Sequence, residues 1–240
     1  MRFIVLDTAD ARGSVALFED ANPLCVESHL GDEDYSSWLL PAVKCALDAF
    51  SLSLAKLDGY AVCAGPGSFT GLRVGLTTVK AWGEIFSKPI AALSRLQALA
   101  SGPSAEQGPF RATFIDARRN QVFAALYASS RDDYELQGEE SVTSLPDFIA
   151  RVEAETAGQS VCWRSPDVEL LQSLPVWQTL SARGHVSERL EPPFAARLGE
   201  LAYRKFQRRD TTDAISLDAN YVRRSDAEVF WKGNKAALKA

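Results

Sequence analysis

Few side chains in this sequence have the type and spacing that catalysis or metal binding needs. Asp7 and Asp116 each end an apolar run, where a short carboxylate commonly caps the following turn. His29 and His185 lie far apart, and neither has a cysteine or a second histidine at metal-ligand spacing. A triad of Ser68, His185 and a carboxylate would need residues that no sequence pattern brings together. We therefore predict no metal site and no catalytic residue, and keep a peptidase as an alternative.

A glycine-rich segment joins an apolar strand to a long helix. Its residues are Gly65, Pro66, Gly67, Ser68, Phe69, Thr70 and Gly71. A Walker-type loop needs Lys-Ser/Thr after its last glycine, and a nucleophile elbow needs glycine in place of Pro66. We predict a structural strand-to-helix elbow with Ser68 or Thr70 as the helix cap. Anion binding at the helix N-terminus is the alternative.

Small residues recur at every fourth position of that helix and so share one face. They are Gly71, Gly75, Val79 and Gly83. An interior glycine costs about 1 kcal/mol relative to alanine, so this face indicates close approach of a second backbone. That backbone can belong to the same fold or to another chain. We predict a subunit interface, to which Leu72, Leu76 and Trp82 add apolar surface.

Composition is that of a globular protein with a sizeable core. The chain has 240 residues, of which 46% are hydrophobic and 24% charged, enough for one large domain or two lobes. No apolar run approaches the roughly 20 residues of a membrane span, and the first residues lead into a strand instead of a secretion signal. The four cysteines form no C-x-x-C pair and are assigned to packing. We expect a cytoplasmic protein without a membrane segment.

The charge of the chain limits which partners it is expected to bind. A net charge of -5 disfavours a protein that grips a phosphate backbone unaided. Basic residues gather towards the C-terminus, at Arg204, Lys205, Arg208 and Arg209. We favour a solvated helix face for this group, with direct RNA contact as the alternative.

The spacing of apolar residues predicts an α/β protein in which the order of strands and helices starts again in the second half. Three short strands are followed by helix 35–50, the strand before the elbow, the elbow helix, strand 89–93 and a short helix to Ala100. The order is βββαβαβα. After the linker 101–109, a second hairpin begins at Phe110, with Asp116 in the place of Asp7. Our secondary-structure prediction is weakest over residues 161–191.

The elbow and its helix, Cys63 to Gly75, resemble the signature of the TsaB (YeaZ) family. Members of that family are accessory subunits of the machinery that makes threonylcarbamoyladenosine (t6A) in bacterial tRNA. Shorter matches follow in the family's order along nearly the whole chain. They are Ile4–Thr8, Ile115–Arg118, Tyr221–Arg223 and Trp231–Lys232.

The resemblance implies a two-lobed actin/Hsp70/sugar-kinase-like (ASKHA) fold, each lobe a mixed sheet flanked by helices and the second lobe degenerate. The N-terminal lobe would span residues 1–102 and the C-terminal lobe 103–240, with the last segment packing back on the first lobe. In that superfamily ATP sits between the lobes. This makes Asp7, Thr8 and Asp116 a vestigial nucleotide site, because only one glycine follows Asp7 in its hairpin and none follows Asp116. The metal-binding histidines of the catalytic paralogue TsaD are replaced by Arg95 and Leu99.

The resemblance also implies the function. The chain would be a non-catalytic subunit that pairs with TsaD, which transfers threonylcarbamoyl to N6 of adenosine 37 in ANN-decoding tRNAs. A TsaE-type ATPase would dock on that pair, tRNA would be met mainly through the complex, and the chain alone would form a homodimer. No cofactor is expected on this chain, with ATP or ADP and metal on the partner subunits or at the complex interface. The alternatives are an active small-molecule kinase or ATPase of the same superfamily and a metallopeptidase.

Overall fold

The computed structural model describes residues 1–29, 33–104, 108–130 and 133–222. Within them, two five-stranded sheets lie one after the other along the chain. The strands of the first sheet are β1 Arg2–Asp7, β2 Ser14–Glu19, β3 Asn22–Ser28, β4 Gly59–Gly65 and β5 Ile90–Ser94. The strands of the second are β6 Phe110–Asp116, β7 Val122–Ser129, β8 Tyr134–Thr143, β9 Val161–Ser165 and β10 Val186–Arg189.

Both sheets have the same strand order. The first runs β3-β2-β1-β4-β5, and the second runs β8-β7-β6-β9-β10 when it is traced from the equivalent edge. In each sheet the first three strands pair antiparallel, the fourth pairs parallel with the first, and the fifth pairs parallel with the fourth. The predicted duplication is therefore confirmed by topology. Two mixed sheets of this order, flanked by helices, are the ASKHA fold predicted from the sequence.

Seven α-helices and one short 3-10 helix, Leu54–Lys56, lie within the described residues. The α-helices are α1 Tyr35–Asp48, α2 Phe69–Phe86, α3 Arg95–Ala100, α4 Leu145–Glu155, α5 Glu169–Gln172, α6 Val176–Ala182 and α7 Ala195–Arg208. Helices α1 and α2 pack against the first sheet and contact each other, and α4 packs against β7 of the second. Helix α3 follows β5 and contacts four strands of the second sheet, so it lies between the lobes. No helix among these residues is long and apolar enough to cross a bilayer.

Helix α7 returns the chain to the first sheet. Its glycine, Gly199, lies against Phe18 of β2, since a Cβ there would be 2.0 Å from the Phe18 ring. The ring of Phe206 lies 5.2 Å from that of Phe3 in β1, and the N–H of Ala195 donates to Ser14 Oγ at 3.1 Å. Because these aromatic residues are buried, α7 completes the core of the first lobe.

Two buried arginines hold the linker that joins the lobes. Arg111 of β6 donates to the carbonyl oxygen of Gly102 at 2.7 Å. Arg164 of β9 donates to the carbonyl oxygens of Ser101 at 2.9 Å and Pro103 at 3.1 Å. These bonds satisfy backbone acceptors that would otherwise be left in a poorly solvated place.

The predicted elements of residues 1–100 are confirmed in type and order, with ends that differ by a few residues. In the second half the hairpin predicted to begin at Phe110 is confirmed as β6 and β7. The structure adds α5, α6 and β10, which lie in the stretch 161–191 where the sequence pattern is weak. The division at residue 102 stays a prediction. Arg223, Trp231 and Lys232, which contribute to the family resemblance, lie outside the described residues.

Candidate functional site

The elbow places the N-terminus of α2 beside the end of β1. Ser68 caps the helix, its Oγ accepting from the N–H of Gly71 at 3.3 Å. Thr8 Oγ1 donates to the carbonyl oxygen of Gly71 at 2.7 Å and is itself buried. The glycine at position 71 is needed because a Cβ there would lie 2.1 Å from the Thr8 carbonyl oxygen. The predicted cap at Ser68 is confirmed, and Thr8 fixes the elbow to β1.

The small-residue face of α2 packs on the chain's own first sheet. A Cβ at Gly75 would lie 2.6 Å from Thr8 Oγ1, and one at Gly83 would lie 2.7 Å from Ile90 Cδ1. The close approach that the glycines indicate is therefore real, but the approaching backbone and side chains belong to the same chain. All seven predicted interface residues are buried in this chain: Gly71, Leu72, Gly75, Leu76, Val79, Trp82 and Gly83. Burial leaves these side chains little surface for another subunit, and the subunit interface stays a prediction.

Asp7 forms a buried ion pair with Arg95. Its Oδ2 lies 3.3 Å from Nη2 of Arg95, and neither side chain is more than 1% exposed. Its Oδ1 accepts from the N–H of Ala9 at 3.1 Å, so the carboxylate also caps the turn after β1. Burial raises the pKa of Asp7, and the Arg95 guanidinium opposes that rise. Arg95 also stacks over the ring of Phe194, with Cζ 4.8 Å from its centre.

The ion pair continues through Asp10 into the second lobe. Arg95 Nη1 lies 2.8 Å from Asp10 Oδ2, which also accepts from Arg12 Nη2 at 2.6 Å. Arg12 Nη1 then reaches Asp167 Oδ1 at 2.8 Å, between β9 and α5. We call Asp7, Arg95, Asp10, Arg12 and Asp167 the interlobe ionic chain. Sequence reasoning singled out Asp7 and Arg95 but not their pairing. It missed Asp10, Arg12 and Asp167, because no spacing relates Arg12 to a residue 155 positions away.

Asp116 occupies the place in the second lobe that Asp7 occupies in the first. Its Oδ1 accepts from the N–H of Arg118 at 2.7 Å, and its own N–H donates to Asp167 Oδ2 at 2.9 Å. Asp116 thus caps its hairpin turn as Asp7 does. The turn-capping role expected for both aspartates is what these hydrogen bonds show.

The residues present do not fit the magnesium-nucleotide that the ASKHA fold implies. A divalent cation needs carboxylate oxygens free to bind it, but Arg95 pairs with one oxygen of Asp7 and one of Asp10. The other oxygen of each accepts from a backbone N–H, that of Ala9 or of Arg12. The space beside Gly13, the one glycine of the first hairpin, is occupied by Tyr35, since a Cβ at position 13 would lie 2.2 Å from the Tyr35 hydroxyl. That glycine makes room for a tyrosine instead of a phosphate. Among the described residues no group of three or more His, Cys, Asp or Glu side chains could hold a metal ion.

The two histidines lie in separate environments. His29 bonds to the carbonyl oxygen of Glu33 at 2.8 Å, in the first lobe. His185 is buried in the second lobe, where Trp163 Nε1 donates to its Nδ1 at 3.2 Å and its Nε2 faces Glu153 Oε1 at 3.2 Å. Burial lowers the pKa of His185. Ser68 bonds to Gly71 in the first lobe, whereas His185 contacts Trp163 and Glu153 in the second, so Ser68 and His185 are not joined in a triad.

A cleft of about 880 Å³ borders the interlobe ionic chain, of which Asp10 and Arg95 line its wall. Elbow residues and the turn after β1 line one side, and the turn between β6 and β7 lines the other. That second turn contains three successive residues in the left-handed region, Arg118, Arg119 and Asn120, with φ of 62°, 55° and 57°. The end of the described chain, from Asn220 to Val222, closes a third side.

The ionic chain predicts an acid-dependent loss of stability. Burial disfavours the charged carboxyl of Asp10, but Arg95 and Arg12 outweigh it and lower its pKa from 3.8 to about 2. A lowered pKa contributes stability that is present above the unfolded value and is lost as pH falls through the folded one. We expect the wild type to lose about 2 kcal/mol more than Asp10→Asn between pH 5 and pH 2.

Urea unfolding at several pH values across that window measures the difference. Asp48→Asn, which removes an exposed carboxylate from α1, is the control and should follow the wild-type curve. Parallel curves for the wild type and Asp10→Asn would contradict the assignment of the lowered pKa to Asp10.

Fold and cleft together define the class: a two-lobed ASKHA protein whose interlobe carboxylates are paired with arginines. Residues 29–165 match the TsaD family, tRNA N6-adenosine threonylcarbamoyltransferase. The tRNA threonylcarbamoyladenosine biosynthesis protein TsaB of Escherichia coli K12 is 31% identical over 166 residues, which are 67% of this chain and 70% of that protein. The protein of the same name from Bacillus subtilis 168 is 25% identical over 231 residues, 96% of this chain and 98% of that one. The chain therefore belongs to the TsaB (YeaZ) family, within the wider TsaD family.

Solved structures agree with this assignment. YeaZ from Pseudomonas aeruginosa superposes with a TM-score of 0.69 at 25% sequence identity, covering 92% of this chain and 99% of that one. A second P. aeruginosa structure, of a protein with similarity to peptidase YEAZ, gives a TM-score of 0.74 at the same identity and coverage. The family predicted from the elbow motif is confirmed.

Proposed function

We propose that this chain is the accessory subunit that supports transfer of threonylcarbamoyl to N6 of adenosine 37 in ANN-decoding tRNAs. The observation that carries the proposal is its membership of the TsaB family, whose E. coli and B. subtilis members are named as t6A biosynthesis proteins. The occupied carboxylates of the interlobe cleft support a role without chemistry of its own, because Asp7 and Asp10 are bound to Arg95. ATP, ADP and metal would then act on the partner subunits or at the complex interface.

The partner in this proposal is a TsaD-type subunit. The match of residues 29–165 to the TsaD family supports it, because related folds present equivalent surfaces that can pair with one another. The same argument allows a homodimer when the chain is alone. A TsaE-type ATPase would dock on the heterodimer, tRNA would be bound mainly by the complex, and the cytoplasm is the compartment where these parts meet.

The docking surface we propose is the outward side of α1 and α2. The inner side of α2 is buried on its own sheet, but Ile85 near the end of α2 is 69% exposed and Leu40 of α1 is 56% exposed. Exposed apolar residues on two helices that contact each other are the kind of surface that a partner helix can cover. The helix-to-helix docking expected from the sequence is kept, with the opposite face of α2 in contact.

Reconstitution tests the function. A TsaC-type enzyme, which would make threonylcarbamoyl-adenylate from threonine, bicarbonate and ATP, is mixed with TsaD- and TsaE-type proteins and unmodified ANN-decoding tRNA. The reaction is run with and without this chain, and t6A is measured by mass spectrometry. We expect product to depend on this chain. Equal product without it would refute the accessory role. A parallel measurement of ADP released by the chain alone, with and without Asp7→Ala, tests the kinase or ATPase alternative.

A further inference from the structure

Two exposed aromatic rings lie at the mouth of the interlobe cleft. The centres of the Phe69 and Tyr221 rings are 5.2 Å apart with 36° between their planes, and the two residues are 39% and 41% exposed. Arg73 lies over Phe69, with Cζ 3.7 Å from the ring centre, and its Nε donates to the Tyr221 hydroxyl at 3.3 Å. We call these three residues the aromatic mouth. Exposed aromatic rings and guanidinium planes are the surfaces on which unpaired bases stack.

Charge in the cleft has the opposite sign to that of the whole protein. Four arginines and two aspartates line it, whereas the chain carries -5 overall. Asp10 is already paired with Arg12 and Arg95. The Arg118 guanidinium is 85% exposed and lies 3.7 Å from Asp116, a long contact for an ion pair. The side chains that line the cleft therefore carry a net positive charge, and the Arg118 guanidinium is exposed at its rim.

The volume of the cleft and the pairing of its carboxylates with arginine limit the class of ligand that it can bind. A cleft of about 880 Å³ is in the range of pockets that hold one small ligand. Because Arg95 pairs with Asp7 and Asp10, the cations that a phosphate would meet in this cleft are arginine side chains. RNA phosphates are bound in that way, by Arg and Lys side chains without a bridging metal.

We propose that the aromatic mouth binds an unpaired nucleotide of the substrate tRNA. The base stacks on Phe69 and Tyr221, and the phosphates adjoining it contact Arg73 and Arg118. This inference rests on the proposed function, which supplies tRNA as the substrate, and it places the RNA contact at the cleft instead of at the basic residues of α7. The chain would then guide tRNA as well as hold its partner.

Direct binding to the chain alone tests this contact. The probe is a fluorescein-labelled anticodon stem-loop RNA of an ANN-decoding tRNA, followed by anisotropy at several salt concentrations. Phe69→Ala should weaken binding by about 5- to 100-fold, the range for loss of one stacked base. Arg73→Gln and Arg118→Gln should each reduce the salt slope by about 1. Arg2→Gln is the control, because Arg2 lies at the opposite end of β1 and pairs with Glu19; it should bind like the wild type.

The inference is wrong if the wild type does not bind the stem-loop, or if Phe69→Ala binds it as tightly as the wild type does. It is also wrong if a fully paired RNA binds as tightly as the stem-loop, or if ATP displaces the stem-loop, which would indicate a free-nucleotide site. Arg118→Gln keeps the test valid if Phe69→Ala unfolds, since Arg118 is on the surface. Failure here with chain-dependent t6A formation would remove only the RNA contact. RNA binding that depends on Phe69, with t6A formed equally well without the chain, would remove only the accessory role.

Discussion

Replacement of Arg95 by methionine will lower the free energy of unfolding by about 3–5 kcal/mol, the cost of leaving a buried charge without its partner. Arg95 is 1% exposed and is the cation for both Asp7 and Asp10. Methionine keeps the apolar contact with Phe194 but removes the charge, so Asp7 must be protonated or stay buried as an unpaired anion. Chemical unfolding at pH 7, followed by circular dichroism, measures the loss.

The double variant Asp7→Asn, Arg95→Met separates the ion pair from its packing. Removing both charges should recover part of the lost stability, since a buried pair replaced by neutral residues is often nearly neutral in effect. Arg2→Met breaks an exposed pair with Glu19 and should cost no more than about 1 kcal/mol. A loss for Arg95→Met as small as that of Arg2→Met would show that the interlobe ionic chain does not stabilise the fold.

A charge placed at Ile85 will break the complex without unfolding the chain. Ile85→Asp puts a carboxylate on the outward side of α2, where 69% of the residue is exposed. The free energy of unfolding of the chain alone should therefore stay within about 0.5 kcal/mol of the wild-type value. If Ile85 is covered by the TsaD-type partner, burying an unpaired charge there should cost at least 2 kcal/mol, or about 30-fold in affinity. Affinity for the partner by calorimetry and t6A yield at limiting concentration are the measurements.

A matched control lies on the second sheet. Leu136 of β8 is 42% exposed, and Leu136→Asp makes the same chemical change away from α1 and α2. It should leave both affinity and t6A yield unchanged. Wild-type affinity for Ile85→Asp would rule out this side of α2 as the docking surface, and a joint loss in both variants would indicate a general effect of charge.

Local patterns in the sequence predicted most of the fold. Alternating and helical apolar spacing located β1–β5, helices α1–α3 and the hairpin of β6 and β7, because each of these elements buries a regular set of side chains. The repeated strand-end aspartate revealed the duplication that both sheet orders confirm. Helices α5 and α6 each bury a single side chain and strand β10 has a single apolar residue, so none of the three shows a period in the sequence.

The candidate site was harder to predict, for two physical reasons. The spacing of Gly71, Gly75 and Gly83 indicates that something approaches α2 closely, but the same spacing suits the chain's own sheet and another subunit equally. Thr8 and Ile90 turned out to be the neighbours. The pairing of Arg12 with Asp167 depends on how two lobes meet, and neither residue has a local pattern that marks it. Single residues that bind across lobes become visible only when the tertiary structure is known.

The return of α7 to the first sheet has a consequence for the order of folding during synthesis. The first lobe begins with β1, but Phe3 and Phe18 are covered by α7, which ends at Arg208. A ribosome must therefore translate the whole second sheet before the first lobe can close its core. The apolar surface that α7 will cover is exposed to the cell for that interval, and the lobe that starts first is completed last.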